Sequence, residues 1–285
     1  MDIGTRKFHF PLHGYAGIIL ILLFWYLNWH LQGLRSHWAF FPLWLGYVLF
    51  INGWTERRKG SSIFSRSFKS WLILFLISAP VWWIFEVLNK VAQYWKYIGV
   101  QSFTDFEYNL FATISFSTVL PAIFSTTEWM RTFNLTARFE NTLKVGRSSI
   151  TRFLFFVAGG LTLVAFLLWP EYGAAFLWMS LFLILDPINY WLGNPSILSE
   201  TARGNWVTVL NLWIASIICG FFWEMWNFYA YPKWIYEVPY VDFWHIFEMP
   251  LLGYLGYLPF ALELYAMYHL IAGIAGIKTS YKLFV

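Results

Sequence analysis

Charge is scarce in this chain: Asp, Glu, Lys and Arg make up 12% of its 285 residues. A soluble domain carries roughly a quarter, so most of this protein's surface faces something other than water. Cysteine is nearly absent too. The single Cys219 excludes an intrachain disulfide and a C-x-x-C metal site. No long polar linker, low-complexity tract or soluble domain interrupts the pattern. P-loop, Rossmann, nucleophile-elbow and membrane histidine-box patterns are missing, and the six histidines are scattered. No cofactor or metal is expected. The net charge of +4 comes from basic residues lying between hydrophobic runs, where they orient a membrane protein, so no nucleic-acid partner is expected.

Apolar length is what the chain has. Its residues are 59% hydrophobic and 23% aromatic, gathered into runs of about 20, enough to cross a hydrocarbon core about 30 Å thick. Eight helices are expected, near 14–32, 38–54, 71–91, 107–130, 152–169, 173–193, 206–229 and 249–276. The fold class is therefore all-α, a polytopic membrane protein. The first run follows Arg6 and Lys7, lacks a cleavage pattern and is read as a retained helix. Fifteen Lys and Arg fall on the side of the termini and four, Arg35, Lys90, Lys96 and Lys233, on the other. The positive-inside rule then puts both termini in the cytoplasm of a bacterial-type inner membrane.

The chain also resembles itself. Trp83, Glu86, Asn89, Trp95, Tyr97 and Pro121 return as Trp223, Glu224, Asn227, Trp234, Tyr236 and Pro259. Asn52 and the Ser62-Ile63-x-Ser65 segment align with Asp186 and Ser196-Ile197-x-Ser199 at an offset of 134, which drifts to 139 by the W-x-Y motif. Two tandem four-helix halves in parallel orientation are expected, 1–135 and 136–285, related by an axis along the membrane normal.

Carboxylates are expensive inside a bilayer, and each is a functional candidate. Glu86 with Asn89, and Glu224 with Asn227, lie three residues apart on one helical face. Carboxylate and amide are expected to point together into one cavity on the outer side, with Trp95, Tyr97, Trp223, Trp234 and Tyr236 forming its walls. Glu263 is expected near mid-depth, as one of a second polar group with Asn52, Glu128, Asp186 and Asn189, the break of a helix at Asp186-Pro187 adding to it. Glu128 is expected to be solvated or paired with Arg131, and His245 to cap with Glu248.

The run Glu224-x-x-Asn227-Phe-Tyr-Ala230-Tyr-Pro-Lys-Trp234-Ile-Tyr236, followed by Phe247-Glu248-Met249-Pro250, resembles the membrane lycopene cyclase domain over roughly 220–265, and more weakly over 83–130. That family also occurs as paired units of several helices. The resemblance implies acid roles for Glu224 and, beside the proline, Glu248. It implies a membrane lipid of isoprenoid or polyene type as ligand, and protonation of a double bond by a carboxylic acid with aromatic faces stabilising the cation. A non-redox isomerase or cyclase of carotenoid biosynthesis is one expectation. A small secondary transporter and a structural or assembly subunit, homo- or hetero-oligomeric in the membrane, are the others.

Overall fold

The structure, a computed structural model, describes residues 9–277. Arg6, Lys7, Lys278 and Lys282, four of the basic residues counted on the side of the termini, lie outside them. The helices are α1 Leu12–His30, α2 Ser36–Lys59, α3 Ile63–Arg66, α4 Phe68–Ala92, α5 Asp105–Phe116, α6 Val119–Arg131, α7 Ser149–Leu168, α8 Ala174–Leu192, α9 Ile197–Thr201, α10 Val207–Phe228 and α11 Tyr257–Ile274. Four short strands, β1 Trp95–Ile98, β2 Lys233–Tyr236, β3 His245–Ile246 and β4 Met249–Pro250, lie between helices. They qualify the all-α expectation without changing the class.

Among the described residues, seven helical stretches are long and apolar enough to cross a membrane: α1, α4, the α5–α6 pair, α7, α8, α10 and the stretch Leu251–Ile274. The chain is thus a polytopic α-helical membrane protein. The expected eighth, α2, is longer than most but less apolar. Its middle is closed off by protein, with Leu43, Trp44 and Val48 fully buried, so it needs little lipid-compatible surface. Helices α1 and α2 cross closely because a side chain at Gly17 would meet the Phe50 backbone nitrogen at 2.5 Å, and such small residues let backbones approach.

The expected helix over 107–130 is broken between α5 and α6. Pro121 has no N–H to give to Ser117, and Thr118 turns its hydroxyl back to the Ser115 carbonyl at 2.7 Å. The buried Ser78 of α4 fills the gap. Its hydroxyl donates to the Phe116 carbonyl at 2.6 Å and accepts from the Leu120 N–H at 3.1 Å. The last expected helix likewise starts late. Residues Leu251–Gly256 form a 3-10 turn and the α-helix begins at Tyr257, with Glu263 near the middle of the stretch Leu251–Ile274. By contrast, α8 runs through Pro187 without interruption.

Asp186 instead caps α9, accepting from the N–H groups of Ile197 at 2.7 Å and Leu198 at 2.8 Å. At the start of α3 that task is divided. Glu128 accepts from the Ile63 N–H at 2.8 Å and Asn52 from the Phe64 N–H at 3.1 Å. Glu128 is 1% exposed and takes the ion-paired one of its two expected roles, with Lys59 at 2.7 Å and with Arg66. His245 bonds Asp242, not Glu248. The core where the two ends of the chain meet is aromatic. Trp44 of α2 lies 4.9 Å from Trp223 and 5.0 Å from Trp226 of α10, centroid to centroid.

Candidate functional site

Glu86 and Glu224 lie near the C-terminal ends of α4 and α10, roughly 26 Å along each helix from its first residue. One turn on, Asn89 and Asn227 do the same work. The Asn89 amide donates to the Trp95 carbonyl at 2.8 Å and its oxygen accepts from the Tyr94 N–H at 2.9 Å. Asn227 donates to the Trp234 carbonyl at 2.7 Å and accepts from its N–H at 3.0 Å. The amides were expected to point with the carboxylates; instead each bonds backbone with both its oxygen and its nitrogen, which pins each strand to the end of its helix.

The two pinned strands pair antiparallel, with Trp95 opposite Tyr236 and Tyr97 opposite Trp234. Alternation along a strand puts the Trp and Tyr of each W-x-Y motif on one face, and Lys96 and Ile235 on the other. Each tyrosine reaches the acid of its own segment. Tyr97 donates to Glu86 Oε1 at 2.6 Å and Tyr236 to Glu224 Oε1 at 2.8 Å. Burial, with a carboxyl alongside, pushes both phenols well above their ordinary range, so both hydroxyls remain donors.

The remaining contacts distinguish the two acids. Glu86 Oε1 also accepts from the indole N–H groups of Trp82 at 2.9 Å and Trp95 at 3.1 Å. Glu224 Oε1 accepts a second bond from the Tyr257 hydroxyl at 2.8 Å, while its fully buried Oε2 has no hydrogen-bond partner among the described residues. Buried polar atoms are partnered in the great majority of cases; Glu263 Oε2 is likewise without a partner among the described residues, but Glu263 does not line the cavity that Glu224 lines.

Glu224 is among the residues lining a cavity of about 480 Å³, within the range of about 300–1,000 Å³ usual for small-molecule sites. Glu224, Asn227, Trp223, Trp234 and Tyr236 line it from one end of the chain and Trp95 and Tyr97 from the other. Glu86 and Asn89 are not on the wall; Trp82, Trp95 and Tyr97, which donate to Glu86, screen it. Glu248 stands outside as the ion-pair partner of Lys233. Glu263, also fully buried, accepts from the Leu181 N–H of α8 at 3.2 Å and does not line the cavity.

Several wall residues were not anticipated. Trp178 of α8 stacks on Trp95, with centroids 6.1 Å apart and rings tilted 23°, and on Phe85 at 5.6 Å and 30°. Tyr257 stacks over Trp223 at 6.2 Å and 17°. His37 joins the wall with a buried Nδ1 that has no partner among the described residues. Tyr257 is seated by Gly220, one turn before Glu224 on α10, where a Cβ would stand 2.5 Å from the tyrosine ring. Gly220→Ala is therefore expected to displace the ring and remove one donor from Glu224, at about 1–3 kcal/mol of stability. Thermal unfolding in detergent, compared with Tyr257→Phe, measures it: the Phe variant loses only the hydrogen bond, so Gly220→Ala must cost more.

Chemically, the arrangement offers a carboxyl on the wall of a largely apolar, aromatic cavity, with one oxygen unengaged and the other steadied by two phenol donors. Among the described residues no group of three His, Cys, Asp or Glu side chains could hold a metal. No protein-family model, no curated protein and no solved structure matches this chain.

Proposed function

We propose that this protein binds a hydrophobic isoprenoid or polyene lipid in the outer-side cavity and that Glu224 protonates one of its double bonds. The observation that carries the reading is Glu224 itself: fully buried, on the wall of an aromatic cavity, Oε1 held by Tyr236 and Tyr257 and Oε2 without a partner. The Oε2 proton goes to a terminal alkene carbon, forming a C–H bond and a tertiary carbocation. Attack by a neighbouring double bond closes a ring, and loss of an adjacent proton to the carboxylate restores Glu224. No electrons are gained or lost, so the product is a cyclised isomer. The faces of Trp223, Trp234 and Trp95 stabilise the cation, and an apolar chamber keeps water from quenching it. The resemblance of 220–265 to the membrane lycopene cyclase domain points the same way.

The same proposal takes α2 as an eighth crossing and the chain as two tandem four-helix halves in parallel orientation. The matching roles of Asn89 and Asn227, and the pairing of the two W-x-Y motifs with each other, support it. An even number of crossings puts both termini on one side, and the bias of Lys and Arg makes that side the cytoplasm of a bacterial-type inner membrane. Reporter fusions at either end are expected to read cytoplasmic; an external signal from one end refutes the eight-crossing topology.

The binding reading is tested on the lipid extract of the purified protein, by mass spectrometry and visible absorption. A stoichiometric isoprenoid or polyene is expected. Secondary transport, favoured by the broken α5–α6 crossing and the buried Glu263, predicts instead uptake of a polar solute driven by a proton gradient.

A further inference from the structure

A second groove lies on the opposite face of α10 from Glu224, between α1, α2, α6 and α10, and shares no residue with the first. It encloses about 380 Å³, its surface is entirely apolar, and its walls include Trp25, Tyr47, Trp54, Trp129, Ile218 and Phe222. On α2 it runs from Tyr47 to Trp54, about 10 Å along the helix axis, out of roughly 15 Å for one leaflet's hydrocarbon. Its inner end is framed by Trp54 and Trp129, whose ring centroids are 5.1 Å apart. Trp54 is 37% exposed.

Arg57 and Arg58 follow Trp54 at i+3 and i+4, which places them on its helical face one turn further toward the inner surface. Both are exposed. Arg58 is fixed in place: its guanidinium lies 3.8 Å over the Phe133 ring and donates to the Thr132 hydroxyl at 2.6 Å. A wholly apolar slot about two thirds of a leaflet deep, topped by two cations, complements an acyl chain below an anionic phosphate.

We infer that this groove holds one chain of an anionic phospholipid, its phosphate at Arg57 and Arg58. The protein reconstituted in vesicles of equal parts phosphatidylglycerol and phosphatidylcholine, then extracted gently and weighed by native mass spectrometry, tests it. Phosphatidylglycerol is expected to be retained over phosphatidylcholine by about 10- to 30-fold, the selectivity two surface arginines supply. Arg57→Gln with Arg58→Gln should abolish that preference, while Lys144→Gln with Arg147→Gln, exposed cations away from the groove, should leave it intact. Ile218→Trp or Ile21→Trp, which fill the slot from opposite walls, should reduce retention of both lipids. Equal retention of the two lipids by the wild type overturns the inference, as does an unchanged preference in the double arginine variant. Loss of preference in the Lys144/Arg147 control would reduce the effect to general surface charge and overturn it equally. These readouts do not depend on what occupies the Glu224 cavity.

Discussion

Replacing Glu224 by Gln is expected to stop conversion of the bound lipid while leaving the protein folded and loaded. The amide keeps an oxygen to accept from Tyr236 and Tyr257, which now reach Glu224 Oε1 at 2.8 Å each, and it keeps the side chain's shape. It cannot supply an acidic proton at the position of Oε2. General-acid catalysis is worth about 10²- to 10⁴-fold, so turnover should fall at least that far. Stability should change by no more than about 1–3 kcal/mol, the cost of one unsatisfied neutral donor. The decisive measurement pairs the isoprenoid conversion assay with the composition of the copurified lipid. Wild type should carry a mixture of cyclised and uncyclised isomers, and the Gln variant the uncyclised form alone. Full activity of that variant ends the proposal for Glu224. Lipid lost together with activity would instead make Glu224 a binding group. Glu86→Gln is expected to act more weakly: three donors converge on one of its oxygens behind Trp82, Trp95 and Tyr97, so its carboxyl positions the wall and does not meet the ligand.

Much of the scaffold was legible in the sequence because hydropathy reports the bilayer directly. The long helices begin and end within about five residues of the expected bounds, except where backbone hydrogen bonding rather than hydropathy decides. At Ser117–Thr118 the run stays apolar, yet Pro121 and the hydroxyl of Ser78, about 40 positions earlier, allow a break. At 249–256 the composition is that of a membrane helix, but Pro250, Gly253 and Gly256 favour a strand and a 3-10 turn. Of the acids singled out, Glu224 stands on the cavity wall, Glu86 one layer behind it, and Glu248 and Glu263 elsewhere. Asn227 lines the cavity as expected and Asn89 does not, and both amides also hold backbone. Spacing along a helix tells which face an amide shares with a carboxylate, but not that a returning strand will claim the amide first. Tyr257 carried no signal, and Trp178 only that of a repeat partner to Trp44, since their importance comes from what they touch across the bundle. Gly220 was the available hint, a glycine one turn before a buried acid on an otherwise bulky helix.

The largest stability effect is expected at Asp186. Its two oxygens serve two different backbone donors, the N–H groups of Ile197 and Leu198, both buried residues at the start of α9. Asp186→Ala orphans both donors at once, and a buried unsatisfied N–H costs about 1–3 kcal/mol, so the loss should reach about 2–6 kcal/mol. The corresponding cap on α3 has divided its labour. Asn52→Ala removes only the acceptor of the Phe64 N–H, because Ile63 is held separately by Glu128. Its other bonds, from the Asn52 amide to the Val48 carbonyl at 2.8 Å and the Ser125 hydroxyl at 2.9 Å, leave a carbonyl that stays helical and a hydroxyl free to turn. Asn52→Ala should therefore cost roughly half as much. Asp186→Asn should fall between them, since one oxygen still accepts from one N–H while the new NH₂ faces the other donor. Thermal unfolding in a single detergent ranks the three variants. Equal losses at Asp186 and Asn52 would show that the cost comes from disturbed helix packing rather than from counted hydrogen bonds. A preserved ranking, with α9 amides exchanging faster only in the Asp186 variants, assigns it to the cap.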